Sequence, residues 1–153
     1  MVVFTPPELI ALAQRHGAEP ELARIVAGAA LVESEGNTEA RGDNGASLGL
    51  YQIHSIHGLR GFDRLDPDYA TIWMLANAFR PAAAGAQQRG YYGEDYAAAV
   101  YMAGERPAGW NGWNSPGLHS PAAMRFREKW RSLEGMSPGG DGMDTAYVFP
   151  VAG

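Results

Sequence analysis

Proline stands at the start of several helix-like segments, and this pattern restricts the fold more than any other feature of the sequence. The four positions are Pro6, Pro20, Pro67 and Pro121. Proline suits the first turn of a helix, because the backbone N–H groups of that turn have no intrahelical partner in any case. Three of these prolines follow a residue that can cap a helix, namely Thr5, Asp66 and Ser120. The pattern therefore favours a chain built mainly from helices.

The ends of the expected helices are set by glycines and by one further proline. The helices run from Pro6 to about His16, from Pro20 to Gly36, from Pro67 until Pro81 bends or ends the helix, from Gly93 to Gly104, and from Pro121 to about Gly135. Between Ser34 and about Asp66 the sequence is rich in Gly, Asn, Asp and Ser, which predicts a loop with a small hairpin around Asn37 to Leu50. We therefore expect an all-α fold, mainly helical, with a loop and hairpin region after the second helix.

The composition is that of a globular protein without a basic surface. The chain of 153 residues is 46% hydrophobic and 19% charged, with a formal net charge of −5. This charge gives no footprint for nucleic acid or for an anionic membrane surface. No apolar run is long enough to span a membrane, and the absence of cysteine excludes disulfides and cysteine catalysis. The cations crowded on the last helix could attract an anionic wall polymer, but such a group is more often a solvated face; they are Arg125, Arg127, Lys129 and Arg131.

The second expected helix places a carboxylate where its buried face should continue. Apolar residues recur at spacings of three and four residues, at Leu22, Ile25, Val26 and Ala29. Four residues further on, the same stripe reaches Glu33, whereas Glu35 points to roughly the opposite side. Apolar surroundings and the negative end of a helix both disfavour an ionised carboxylate, and a carboxyl group that stays protonated can act as a general acid. The alternative is that Glu33 curls out into water from the last turn.

Three motifs resemble those of the goose-type lysozyme and soluble lytic transglycosylase superfamily. The family has a helix that ends in Glu-Ser, then a short loop and Gly-Leu-Met-Gln or a close variant; here Glu33 and Ser34 are followed by "GDNGASLGLYQIH". The third family motif is Ala-Tyr-Asn-Ala-Gly in a later helix, and "VYMAG" stands here at residues 100–104, with Met102 in place of the usual asparagine. The resemblance covers about Pro20 to Trp130.

The resemblance implies a lysozyme-like fold and the cleavage of peptidoglycan without a cofactor. In the transglycosylases of this superfamily a single glutamate, here Glu33, acts first as acid and then as base. It cleaves the β-1,4 bond between N-acetylmuramic acid and N-acetylglucosamine, and the sugar's own 6-hydroxyl closes the ring to leave a 1,6-anhydro end. In related lysozymes a second carboxylate stands where this sequence has Ser47, which cannot be a nucleophile.

Two alternatives to a transglycosylase stay open. Goose-type enzymes that hydrolyse the bond carry an Asp in a Gly-Asp pair of this loop, and Asp43 occupies a similar place in "RGDNG". Asp43 could therefore orient water in an inverting muramidase, or it could serve only as a turn residue. The third reading is a glycan-binding module that has kept the fold and lost turnover, which Met102 favours and Glu33 disfavours.

Several further residues are candidates for contact with the glycan. They are Ser34, Ser47, Gln52, Tyr101, Trp110 and Trp113. Gln52 could bind the N-acetyl or lactyl group or brace its loop, and Tyr101 matches a family tyrosine that lies near the catalytic glutamate. The two tryptophans could stack on sugar rings or close the core. His54 and His57 have no clear third partner, so we expect no metal site.

We expect residues 1–135 to form the enzyme domain and residues 136–153 to be a linker that could lead into a following domain. The segment "MSPGGDGMD" is linker-like, and "YVFPVAG" resembles the opening of lysostaphin-type zinc endopeptidase domains. The start "MVVFTPPEL" lacks the features of a signal peptide. We therefore expect the domain to belong to a larger polypeptide, such as a phage tail or cell-wall protein, and to act at the bacterial cell wall.

Overall fold

The helix starts follow the capping signals of the sequence in the computed structural model, which describes residues 2–104 and 117–136. Helix α1, Pro6–Arg15, begins with a full capping box: the Thr5 hydroxyl accepts from the Glu8 N–H, and Glu8 Oε1 accepts from the Thr5 N–H at 2.9 Å. The other helices are α2 Pro20–Ser34, α3 Gly61–Leu65, α4 Pro67–Met74, α5 Arg80–Gln88, α6 Gly93–Gly104 and α7 Pro121–Ser132. The predicted mainly helical fold is thus confirmed. None of the described helices is long and apolar enough to cross a membrane.

Helix α2 ends two residues before the predicted Gly36. Glu35 adopts a left-handed conformation with φ of 53°, and Gly36 follows with φ of 83°. A side chain at Gly36 would collide with the Phe4 carbonyl oxygen, and the Phe4 N–H donates to the Gly36 carbonyl at 2.8 Å. The glycine therefore ends the helix by letting the N-terminal segment cross close above it.

The helical segment that begins at Pro67 does not end at Pro81. A π turn over Leu75–Phe79 joins α4 to α5, and the Arg80 N–H donates to the Leu75 carbonyl. Pro81 lies near the start of α5, directly after the π turn. Of the two outcomes predicted at Pro81, an end of the helix is wrong, because the π turn carries the helix on into α5.

A three-stranded antiparallel sheet follows α2. Its strands are β1 Arg41–Gly42, β2 Ser47–Leu48 and β3 Ile53–His54, in the order β1-β2-β3. The β1–β2 hairpin agrees with the prediction, and β3 extends the sheet beyond it. Buried Arg64 holds the sheet together, since its Nη1 donates to the Ala46 carbonyl at 2.7 Å and to the Ile53 carbonyl at 3.0 Å.

Helix α2 forms the centre of the core and packs against α1, α6 and α7. Its middle residues Ile25 and Val26 have no exposed surface. Helices α6 and α7 are also joined by Arg127, which is buried rather than solvated as predicted. Arg127 contacts Glu94 at 3.5 Å and Asp95 at 2.9 Å, because these carboxylates lie on the first turn of α6 opposite its guanidinium. Of the expected linker, residues 137–153 lie outside the described residues.

Candidate functional site

An open cleft of about 360 Å³ lies between the end of α2, the sheet, α4 and α6. Five residues predicted from the sequence line it: Glu33, Asp43, Ser47, Gln52 and Tyr101. Its other lining residues are Ala29, Gly42, Tyr51, His54, Met74, Phe79 and Gly104. Trp110 and Trp113 lie outside the described residues. The fold therefore gathers side chains from four separate parts of the chain around one carboxyl group.

Glu33 is held in the cleft by a hydrogen bond from α6. The Tyr101 hydroxyl donates to Glu33 Oε1 at 3.0 Å, and Glu33 is half-buried on the last turn of α2. Glu35, two residues further on, is exposed. Glu33 continues the apolar stripe of α2, and its side chain therefore points into the cleft. The alternative in which Glu33 curls out into water does not hold.

Tyr101 is itself fixed by the packing of α7 against α2. Its ring is 3% exposed and stacks on Phe126 with the ring centroids 4.6 Å apart and the planes 5° from parallel. Phe126 in turn packs on Gly28, where an added Cβ would lie 3.1 Å from the Phe126 Cε1 atom. The close approach at Gly28 therefore determines where the phenol meets Glu33.

Asp43 lies in the cleft and also forms the turn between β1 and β2. Asp43 and Asn44 both have positive φ, at 50° and 56°, a conformation that Asp and Asn tolerate better than most residues. The buried Ser47 hydroxyl donates to Asp43 Oδ2 at 2.6 Å. The carboxylate is thus oriented by β2, so the turn role and a place in the cleft are compatible.

Gln52 braces the loop that carries the cleft wall. Its side-chain amide donates to the Ala40 carbonyl at 3.1 Å and to the Gly49 carbonyl at 3.0 Å. Its oxygen lies so close to Gly42 that a side chain there would collide with it, which explains the glycine of the Gly-Asp pair. Both amide hydrogens are committed to the loop, so a contact with a ligand would fall to the oxygen Oε1.

Ser34 is not among the residues that line the cleft. Its hydroxyl donates to the Ala30 carbonyl at 3.0 Å and accepts from the Gly36 N–H at 3.2 Å. The serine of the Glu-Ser motif thus closes the end of α2, because its short side chain can satisfy backbone groups that the helix end leaves open. This geometry does not support the expected contact of Ser34 with substrate.

Sequence reasoning missed Tyr51 and His54 as residues of the cleft. His54 follows Gln52 by two residues, but Gln52 lies in a turn with φ of 51°, so the alternation of faces along a strand gives no signal for His54. Tyr51 is buried, and its hydroxyl bonds to Thr71 Oγ1 at 2.7 Å, while the Thr71 hydroxyl donates to the Pro67 carbonyl at 2.7 Å. Burial raises the pKa of Tyr51, which remains a neutral phenol that ties the cleft to α4.

His54 and His57 contact different groups. His54 Nδ1 accepts from the Ile56 N–H at 3.0 Å, and the His57 ring lies 5.4 Å from that of Trp73. Within residues 2–104 and 117–136 no group of three or more His, Asp or Glu side chains is arranged to hold a metal ion.

The cleft brings together side chains that are capable of acid–base chemistry. Glu33 can exchange a proton with a bound group, and Asp43 provides a second carboxylate in the same space. Met74 and Phe79 supply apolar surface to the same cleft.

When the chain is compared with protein-family models, with curated proteins and with solved structures, none of the three comparisons gives a match.

Proposed function

We propose that this domain is a peptidoglycan lytic transglycosylase that cleaves the β-1,4 bond between N-acetylmuramic acid and N-acetylglucosamine. The observation that carries the proposal is the Tyr101–Glu33 hydrogen bond in an open cleft. The resemblance of the Glu-Ser, "GLYQ" and "VYMAG" segments to the goose-type lysozyme and transglycosylase motifs supports it. The substrate is then the glycan strand of the bacterial cell wall.

In this mechanism Glu33 transfers a proton twice. Protonated Glu33 donates to the glycosidic oxygen, the bond to the anomeric carbon breaks, and the N-acetylglucosamine side leaves as an alcohol. The carboxylate then accepts the proton of the muramic acid 6-hydroxyl, whose oxygen bonds to the same anomeric carbon. The Tyr101 hydroxyl holds Oε1 throughout and stabilises the carboxylate formed between the two steps.

A second candidate function is an inverting muramidase, and the position of Asp43 favours it. Asp43 lines the same cleft as Glu33, and the Ser47 hydroxyl orients its carboxylate. In that reaction Asp43 takes a proton from water, which attacks the anomeric carbon while Glu33 protonates the leaving oxygen. The products would carry reducing ends.

Mass spectrometry of the soluble products from purified peptidoglycan distinguishes the two reactions. A transglycosylase gives anhydro-muramyl ends, which are lighter than reducing ends by one water. Reducing ends would reject the transglycosylase and assign Asp43 to the mechanism.

Replacing Glu33 by Gln tests whether the domain is an enzyme at all. We expect Glu33→Gln to slow product release by about 10²–10⁴-fold, because the amide cannot donate a proton as the acid does. The matched control is Glu35→Gln, which changes an exposed glutamate two residues away and should release product at the wild-type rate. If wild type binds cell walls but releases nothing, the domain is a glycan-binding module instead.

A further inference from the structure

A second open groove, of about 420 Å³, lies between the start of α2, helix α5 and the start of α6. None of its lining residues is shared with the cleft. Glu21 lines this groove and Glu33 lines the cleft, and at about 1.5 Å per residue their backbones lie about 18 Å apart along α2. Sites for small ligands measure about 300–1,000 Å³, so the groove has room for a ligand of its own.

Tyr96 lines the groove with a hydroxyl group that the protein does not satisfy. The residue is buried on α6, with 6% of its surface exposed. Within residues 2–104 and 117–136 its hydroxyl has no hydrogen-bond partner. Because a buried tyrosine hydroxyl usually has a partner, this phenol is available to a ligand in the groove.

Two carboxylates at the start of α2 make the groove negative near this phenol. Burial, and next the charges of Glu21 and Glu19, raise the pKa of Tyr96, so the phenol stays neutral. Arg80 offsets one of these charges, since its Nη1 lies 4.0 Å from Glu19 Oε2 while its Nη2 donates to the Gly17 carbonyl at 2.9 Å. Glu21 has no ion pair or hydrogen bond in the described part of the chain. The groove thus offers a carboxylate and a phenol oxygen to a positively charged donor.

The other walls of the groove suit an alkyl chain and an amide. Leu22 of α2 and the small side chains of Ala83 and Ala84 on α5 form apolar surface, on which methylene groups can pack. Gln87 lies one turn further along α5, and its side-chain amide has no partner among the residues that the structure describes. This amide can pair with a peptide group, because it both donates and accepts.

We propose that this groove binds the side chain of a lysine-type residue in a peptide, with the ammonium group between Glu21 and the Tyr96 hydroxyl. The ammonium donates to the Glu21 carboxylate and to the phenol oxygen. Its alkyl stem packs on the apolar wall, and Gln87 pairs with the peptide backbone. The site is separate from the cleft, and the inference does not depend on the proposed glycan cleavage.

Titrations of the 153-residue protein, followed by the NMR shifts of its backbone amides, test this site. The probe is Nα-acetyl-lysine methylamide, and the control ligand is Nα-acetyl-norleucine methylamide, which lacks only the ammonium group. We expect the lysine probe to bind about tenfold more tightly, because its hydrogen bonds are charge-assisted. It should shift the amide signals of Leu22 and Ala83 rather than those around Glu33. Butylamine, which keeps the stem and the ammonium but has no peptide group, should bind more weakly than the lysine probe.

Two variants remove the proposed contacts one at a time. Tyr96→Phe and Glu21→Gln should each weaken binding of the lysine probe by about three- to tenfold. Tyr96→Phe should leave the melting temperature unchanged, because the hydroxyl has no partner in the described protein. The matched controls Tyr92→Phe and Glu35→Gln change exposed residues outside the groove, and both should bind the probe like wild type.

The outcomes decide the inference without reference to turnover. Equal binding of the lysine and norleucine probes, no binding of either, or wild-type affinity in Tyr96→Phe or Glu21→Gln would overturn the site. Shifts confined to the cleft would overturn it as well. Butylamine that binds as tightly as the lysine probe would indicate a site for free amines and would reject the peptide. The proposed function is judged separately, by whether the protein releases anhydro-muramyl products from peptidoglycan.

Discussion

At the residue scale, the Tyr101 hydroxyl donates a hydrogen bond to Glu33, and Tyr101→Phe tests what this bond contributes. A hydrogen bond to a charged group contributes about 1.5–3 kcal/mol, so its loss should slow turnover by roughly ten- to a hundredfold. KM should change little, because the bond is to the enzyme's own carboxyl group. The stacked ring on Phe126 remains, so the melting temperature should stay close to that of wild type.

The rate of soluble product release from peptidoglycan measures the effect of Tyr101→Phe. Tyr92→Phe is the matched control, since it removes the hydroxyl of a tyrosine that is 85% exposed. Wild-type turnover by Tyr101→Phe would mean that the hydrogen bond to Glu33 has no part in the reaction.

The residues of the site were predictable where helical periodicity or the motif resemblance indicated the direction in which a side chain points. The stripe of α2 pointed Glu33 inward, and the resemblance placed Tyr101 beside it, as the structure shows. The position of Ser34 outside the cleft was not predictable, because a sequence does not reveal whether a hydroxyl closes a helix end or faces a ligand. His54 had no comparable signal, because the turn at Gln52, with φ of 51°, interrupts the strand alternation that would link the two side chains.

At the element scale, the close packing of α2 on α7 depends on the missing side chain of Gly28. Alanine is favoured over glycine inside a helix by about 1 kcal/mol, but the added Cβ would lie 3.1 Å from a carbon of the Phe126 ring. Phe126 is fully buried and stacked on Tyr101, so it has little freedom to move. Overpacking costs about 1–3 kcal/mol, and we therefore expect Gly28→Ala to destabilise the protein by about 1 kcal/mol net.

Denaturant unfolding of Gly28→Ala measures this effect, and a second background isolates its cause. In Phe126→Leu the flat ring is gone, so Gly28→Ala should there be neutral or stabilising. Destabilisation of equal size in both backgrounds would contradict the packing explanation. Turnover should also fall in Gly28→Ala alone, because a displaced Phe126 moves Tyr101 relative to Glu33.

The sequence predicted where helices begin better than it predicted how far they extend. A cap and a proline act locally, so Thr5, Asp66 and Ser120 begin their helices as the sequence indicates. The helix continues past Pro81 through a π turn whose residues Leu75 and Phe79 are buried in the core, and local sequence does not report such tertiary packing. The prediction did not include β3, a strand of two residues that pairs with β2 and whose Ile53 carbonyl also accepts from Arg64.

At the scale of the whole molecule, the mainly helical class follows from spacing and composition, but the arrangement of helices follows from contacts distant in sequence. The buried Arg127 illustrates this. The sequence of the last helix predicts a solvated cationic face, but in the folded protein Glu94 and Asp95 lie opposite Arg127. The ion-pair cluster of Arg15, His16 and Asp68 similarly joins the end of α1 to the start of α4. His16 and Asp68 are 52 residues apart in the sequence.

The Asp68 cluster makes the stability of the whole molecule depend on acid pH. Burial alone would raise the pKa of Asp68, but the hydrogen bonds from His16 and Arg15 outweigh it and lower that pKa. The stabilisation is therefore complete above the unfolded pKa of about 3.9, and it is lost as the pH falls through the lower, folded value. Because the side chain is 47% exposed, solvent limits the effect, and exposed pairs contribute about 0.2–1 kcal/mol.

Thermal unfolding of wild type and Asp68→Asn between pH 7 and pH 2 measures this contribution. Above pH 5 the variant should melt lower by a few degrees at most, since about 1 kcal/mol shifts the melting temperature by roughly 2–4 °C in a chain of this size. As the pH falls below 4 and through the lowered folded pKa, the wild-type carboxylate becomes protonated and loses its charge, so the two melting temperatures should converge. A difference that persists unchanged to pH 2 would show that Asp68 stabilises α1 against α4 by packing or neutral hydrogen bonds, not by its charge.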